Sequence, residues 1–242
     1  MSEYVVHFTK PSAVRSAYDV MISILSEGVI RVGGPFGAAR NVEGLGDSQR
    51  SACFSEIPLD LLYRLVERRS LYGIGFRQDF LMHSGGARVW YLDKGGLAAT
   101  AFQGAVYQAQ QAGVDTNDPI WRLTPFVDFP GDYGGSQYQF EWEREWRVPH
   151  PLPFQPGHVA FLFLPEEFHL AARGFFEEAQ REHTGAAYLC PYVDPRWTMD
   201  QIQQALAPVP TPPSSAPTEE TTCPYCGGPV ADGQCMLCHQ PA

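Results

Sequence analysis

Glu141-Trp142-Glu143-Arg144-Glu145-Trp146-Arg147 is the stretch on which the reading of this chain turns. Its three glutamates recur at a spacing of two. In an extended strand that period sets all three carboxylates, and Arg147, on one face. Tyr138, Phe140, Trp142, Trp146 and Val148 fall on the other face, with Arg144 among them. A strand with one apolar and one acidic face suits the wall of a polar cleft. Stacked carboxylates repel, so the arrangement is unfavourable unless a cation, hydrogen bonds or a raised pKa relieves it. The plainer reading is a solvated strand face with Arg147 as counter-ion.

The chain has 242 residues, 44% hydrophobic and 13% aromatic, which is ample for a buried core. That length allows one large domain, or a medium domain plus a small one. With 23 Gly and 21 Pro, many turns should join short elements. A net charge of −10 argues against a broad nucleic-acid-binding surface, though not against a local basic cleft. No apolar run reaches the ~20 residues that span a bilayer. Met1-Ser2-Glu3-Tyr4 lacks the charged-then-apolar pattern of a signal peptide. The expectation is a cytoplasmic protein without membrane contact. Of six cysteines, four form two Cys-x-x-Cys pairs, and Cys53 and Cys190 stand alone. A bound metal in a reducing compartment explains that distribution better than a disulfide framework.

In chain order, residues 4–9 read as a first strand, with Val5, His7 and Thr9 on one face and Tyr4, Val6 and Phe8 on the other. Pro11 and Ser12 open a helix to about Ser26, and Gly28 ends it. The glycine-rich residues 31–50 form a long loop that could close over a ligand. A strand over 52–57 precedes a helix from Pro58 to about Arg69. Strands at 72–76 and 88–92 flank a brief helix at Phe80–Met82, and residues 97–112 look helical. Residues 113–135 are irregular, although Leu123 to Phe129 could pair with a sheet. Residues 158–164 form the most apolar strand, expected to be central. A helix from Pro165 to about His183, a last strand at 187–190 and a helix at 199–206 follow. Strands and helices mix without regular alternation, so the fold class is α+β. Residues 1–206 form the main domain, and the Pro/Ser/Thr-rich residues 207–222 a stiff, extended linker.

Residues 223–242 carry the sharpest local signal. Cys223-x2-Cys226 and Cys235-x2-Cys238 are separated by eight residues, and Gly227-Gly228 lets the first turn bend back. Four thiolates make a closed tetrahedral Zn²⁺ site of structural type, with no position left for a reacting water. His239 adjoins the last ligand and could replace it. A module this small should fold only with its metal. It resembles the zinc ribbons that end many bacterial proteins. Residues 207–242 contain no Lys or Arg, so the ribbon fits a protein partner better than nucleic acid.

Three strand fragments carry polar groups: His7 with Thr9, Ser55 with Glu56, and Glu141, Glu143 and Glu145. Each alone has a bland reading, a hydrogen-bonded core histidine or a turn serine. Their order resembles the ADP-ribosyltransferase-like fold, in which His, an aromatic residue or Ser, and Glu from three strands line an NAD cleft. The main domain also resembles the AbiGi-type abortive-phage-resistance proteins, often labelled antitoxins. The matching pieces are His7-Phe8-Thr9-Lys10, Ile24-Leu25-Ser26-Glu27-Gly28, Cys53-Phe54-Ser55-Glu56-Ile57-Pro58-Leu59, Tyr72-Gly73-Ile74-Gly75-Phe76, Val89-Trp90-Tyr91 and Glu143-Arg144-Glu145-Trp146-Arg147.

These resemblances imply transfer of ADP-ribose from NAD to a macromolecular acceptor, in phage defence or a toxin–antitoxin pair. They imply that His7 and Thr9 hold the adenosine-side ribose or the nicotinamide amide. Phe54 or Tyr72 would stack on the nicotinamide ring, and Ser55 would brace the glutamate. Glu145, or Glu143, would stabilise the oxocarbenium-like cation as nicotinamide leaves, and the other would prepare the acceptor. Arg77 or Arg147 would pair with the pyrophosphate.

Two rivals come from other classes. One is a non-enzymatic binding or immunity protein on the same fold, with His7 and the glutamates tied into structural pairs. The other is a nuclease, because Arg77-x5-His83 resembles the Arg-x(4–6)-His signature of HEPN nucleases, here on strand and loop instead of paired long helices. No Gly-x-x-x-x-Gly-Lys loop, Gly-x-Ser-x-Gly elbow or His-Glu-x-x-His is present. Glu166-Glu167-x-His169 sits where a helix starts, and acidic residues favour the dipole there.

Overall fold

The structure is a computed structural model that describes residues 3–56, 69–130 and 144–207, and the backbone of 131–133, 136–138, 230–231 and 234–235. The chain divides into two compact units, Met1–Leu206 and Ala207–Ala242. The strands in order are β1 (Tyr4–Phe8), β2 (Val29–Ile30), β3 (Ala52–Glu56), β4 (Gly73–Arg77), β5 (Ala87–Arg88), β6 (Trp90–Tyr91), β7 (Val127–Asp128), β8 (Gly131–Tyr133), β9 (Ser136–Tyr138), β10 (Glu145–Val148), β11 (Leu152–Pro153), β12 (Val159–Phe163) and β13 (Tyr192–Val193). In the second unit, β14 (Val230–Ala231) and β15 (Gln234–Cys235) form an antiparallel pair. Six helices are described: Ala17–Glu27, Gln78–His83, Leu97–Gln111, Pro119–Leu123, His169–Arg181 and Met199–Leu206.

The first unit is α+β, built on a seven-stranded mixed sheet of order β13-β12-β4-β1-β3-β10-β5. Among the described pairings within this sheet, only β12 with β13 is parallel. The alternation read from the sequence sorts the faces. Val5, Phe54, Ile74, Phe76, Trp146, Val148 and Leu162 bury into the larger core, against Met21, Leu25, Leu81 and Phe176 from three helices. Val6, Phe161, Phe163 and Val193 bury the other face against Ile202. Phe161 lies where a Cβ on Gly75 would come within 2.5 Å of its ring, which is why β4 carries glycine there.

Several elements differ from expectation. The centre of the sheet is β1, and the most apolar strand, β12, is second from one edge. Its composition reflects burial on both faces, not centrality. The first helix starts at Ala17, because Ser16 and Asp19 form a reciprocal capping box that outcompetes Pro11-Ser12 as a start signal. Residues 187–190 are not a strand, and the pairing falls to Tyr192 and Val193. Residues 88–92 split, with Arg88 in the main sheet and Trp90–Tyr91 pairing in parallel with Val127–Asp128. The helix expected over 58–69 falls on residues of which all but Arg69 lie outside those described, as does most of the linker. Among the described residues no helix is long and apolar enough to cross a membrane.

Candidate functional site

The β1–β3 ladder pairs Val5 with Glu56 and Val6 with Ser55, and goes no further. Beyond Val6 the His7 side chain takes up the space between the strands, with Nδ1 2.9 Å from the Cys53 carbonyl oxygen. A carbonyl only accepts, so Nδ1 carries the proton and Nε2 is left as an acceptor. Burial, partly offset by that hydrogen bond, lowers the His7 pKa and keeps the ring neutral. Where the ladder stops, a cavity of about 270 Å³ opens, lined by Val6, His7 and Phe8 from β1 and by Cys53, Phe54 and Ser55 from β3. Glu145 completes the row, because β10 pairs Glu145 with Ser55. Phe36, Lys10 and Arg69 supply the remaining wall. Strict alternation would set His7 on the face opposite Glu145. The parting of β1 from β3 lets both reach one space.

Behind Glu145 lies a charged network. Arg147 is fully buried and donates from Nε to Glu145 Oε1 (2.8 Å) and from Nη2 to Oε2 (3.2 Å). Its Nη1 reaches the Pro125 carbonyl at 2.7 Å, and Nη2 reaches Asp128 at 3.0 Å. Asp128, also fully buried, accepts from Arg40 at 2.6 Å. Burial alone would lower the Arg147 pKa, but the Glu145 carboxylate outweighs it and holds the guanidinium charged. The Tyr91 hydroxyl donates to Glu145 Oε2 at 2.5 Å. Burial first, then the charge of Glu145, pushes the Cys53 thiol far above its ordinary range, so it is no nucleophile.

The residues 31–50 are a packed wall and not a free lid. Ala39 and Leu45 are buried against Val106 and Trp121, and the buried Gln49 accepts from Thr124 at 2.9 Å. From this wall the Phe36 ring sits 5.0 Å from the Arg147 guanidinium carbon and lines the cavity. Gly37 makes that approach possible. Its φ is +81°, and a Cβ there would lie within 2.0 Å of the Thr124 carbonyl oxygen.

Of the residues singled out in the sequence, His7, Phe54, Ser55 and Glu145 meet at this cavity. Phe54 is only 2% exposed and spends its ring on His7 and Phe76. Thr9 is not part of the lining: its hydroxyl donates to the Ala17 carbonyl at 2.8 Å. Tyr72 packs on Tyr18 and Phe168, away from the lining. Arg77 lies at the Tyr4 end of β1, where it pairs with Glu3 and Asp79. Arg147 is behind the cavity, holding Glu145. Glu141 and Glu143 lie outside the described residues. So do Cys223, Cys226 and Cys238 and the side chain of Cys235. Among the described residues no group of three or more His, Cys, Asp or Glu side chains could hold a metal ion. Phe36, Lys10 and Arg69 were not foreseen. Lys10 follows His7 and Thr9 in one quoted motif, but its place at the rim depends on β1 leaving β3. Comparison with protein-family models, with curated proteins and with solved structures finds no match to this chain.

Proposed function

We propose that residues 1–206 form an ADP-ribosyltransferase-like domain that transfers ADP-ribose from NAD to a macromolecular acceptor. What supports this is the meeting of His7, Ser55 and Glu145, from three neighbouring strands, around one cavity. The chemistry needs a carboxylate beside the ribose carbon that turns cationic as nicotinamide leaves, and Glu145 supplies it. Arg147 and Tyr91 hold that carboxylate in one orientation. Ser55 stands opposite it in register and lines the same cavity. Neutral His7 offers Nε2 as acceptor to a ribose hydroxyl. Phe36 offers a ring to the nicotinamide, and Lys10 and Arg69 offer positive charge to the diphosphate.

The four cysteines 223, 226, 235 and 238 are the donor set of a structural Zn²⁺ site. Cys235 ends the β14–β15 hairpin, and a hairpin at a cysteine pair suits a zinc ribbon. This ribbon serves a protein partner. Phage defence or a toxin–antitoxin pair, in the cytoplasm, is the setting that the family resemblance implies.

A second reading has its own observation. Both Glu145 oxygens already accept hydrogen bonds, and His7 Nδ1 is spent on Cys53. On that reading the domain is a non-enzymatic recognition or immunity protein. Nicotinamide release separates the two. The transferase reading expects release by the wild type and a loss of about 100-fold in Glu145→Gln. Unchanged release in a folded Glu145→Gln chain, or none from the wild type, contradicts it.

A further inference from the structure

Glu145 also lines a second cavity, of about 470 Å³. Arg88, Tyr91, Asp93 and Arg144 share that wall. Building on the transferase reading, we infer that this second cavity is the acceptor site and that the acceptor is the carboxylate of an acidic side chain on a protein. A residue that lines two cavities is where a donor in one can meet an acceptor in the other.

The arginines choose the acceptor. Arg88 donates from Nε to the fully buried Glu56 at 2.8 Å, and Arg144 from Nη1 to the same carboxylate at 3.3 Å. Trp146 Nε1 donates to it as well, at 3.0 Å, and the Arg88 guanidinium lies 5.4 Å from the Trp146 ring centre. Each arginine is thus anchored through one nitrogen while its side chain stays 48% exposed. The remaining N–H groups of each half-exposed guanidinium are donors in a planar fork, which matches a carboxylate. Arg144 holds its position with φ +45°, a left-handed backbone that a non-glycine residue adopts at some cost and that concentrates at functional sites.

Asp93 on the same wall selects against higher charge. Every anion meets Asp93 there, but a phosphate dianion meets about twice the repulsion that a carboxylate monoanion does, so the wall favours the single charge. The reaction then needs no base. One oxygen of the incoming carboxylate bonds to C1′ of the nicotinamide-side ribose as the C1′–N bond breaks. The bonding pair leaves with nicotinamide and neutralises its ring nitrogen, and no proton moves. This suits a Glu145 whose two oxygens are already occupied.

The test uses the full chain, NAD labelled on the adenosine side, and two probes: poly-L-glutamate and a 5′-phosphorylated single-stranded oligonucleotide. The expected result is label on poly-L-glutamate, about tenfold above the oligonucleotide, released by neutral hydroxylamine as an ester must be. Arg88→Gln with Arg144→Gln should lower that labelling about tenfold. Nicotinamide release with the peptide unlabelled, with the oligonucleotide labelled instead, or with a hydroxylamine-resistant bond overturns the acceptor inference and leaves the donor reading standing. Absence of nicotinamide release removes both.

Discussion

Arg147 grips Glu145 as a fork, Nε on one carboxylate oxygen and Nη2 on the other, from a position with no exposed surface. The same Nη2 also meets the fully buried Asp128. Removing the buried guanidinium therefore takes the charged partner from Glu145 and one of two arginines from the fully buried Asp128. Arg147→Met should lower stability by about 3–5 kcal/mol, because breaking a buried pair leaves an uncompensated charge. Arg147→Lys keeps the charge but not the fork, and should recover only part. Urea unfolding of the three chains measures both differences. A change below about 1 kcal/mol in Arg147→Met would mean that the network is dispensable.

His7 gives the fold a pH dependence whose sign follows from its lowered pKa. The unfolded chain binds a proton on His7 below pH ~6.5, where the folded chain does not. Stability is therefore full above that value and falls as pH drops from there towards the folded pKa. His7→Asn should weaken this slope in Tm between pH 6.5 and lower values, at the expense of the bond to the Cys53 carbonyl. Melting curves across that range read it, and an identical slope in the variant would place the titration elsewhere.

Gly37 carries the wall residue Phe36. Gly37→Ala demands a left-handed alanine and puts a methyl group into the Thr124 carbonyl. A loss of about 2 kcal/mol or more is expected, from strain and displaced backbone. Gly44, also at positive φ but with open space around it, provides the control. Gly44→Ala meets the strain without the clash, so its Tm should fall less. Equal losses would show that the Thr124 contact contributes nothing.

Metal removal should act on one unit only. A chelator strong enough to strip Zn²⁺ should unfold residues 223–242, since four thiolates without metal hold nothing together. The main unit keeps its own core and should retain its melting transition. Zinc measured per chain before and after treatment, with circular dichroism alongside, checks this. Zinc-free protein as purified from zinc-replete cells would contradict the ribbon.

Much of the main sheet was legible because alternation is a local property. Glu145 and Arg147 on one face of β10, with Trp146 and Val148 in the core, follow from period two alone. So do the two faces of Tyr4–Phe8. What alternation cannot carry is the end of a ladder. His7 joins Glu145 only because β1 parts from β3 after Val6, and no residue pattern in β1 announces it. Of the acidic stretch, Glu141 and Glu143 lie outside the described residues. Among the described residues, Arg144 is left-handed and the pairing of β10 with β3 runs from Glu145 to Val148. Arg77 illustrates the remaining gap: it is a sound phosphate ligand by chemistry, and the register sets it at the far end of β1 from the cavity. Phe36 was hidden for the opposite reason. It lies in a glycine-rich loop whose packing depends on Trp121 and Thr124, more than eighty positions away.

The most direct test of the central claim is NAD binding by titration calorimetry, on full-length chain shown to be folded and zinc-loaded. The cavity lined by His7, Ser55 and Glu145 should bind NAD with Kd in the micromolar range, about −8 kcal/mol, and Glu145→Gln should bind it without releasing nicotinamide. No heat of binding at millimolar NAD would contradict the transferase account and leave the cavity as a recognition pocket.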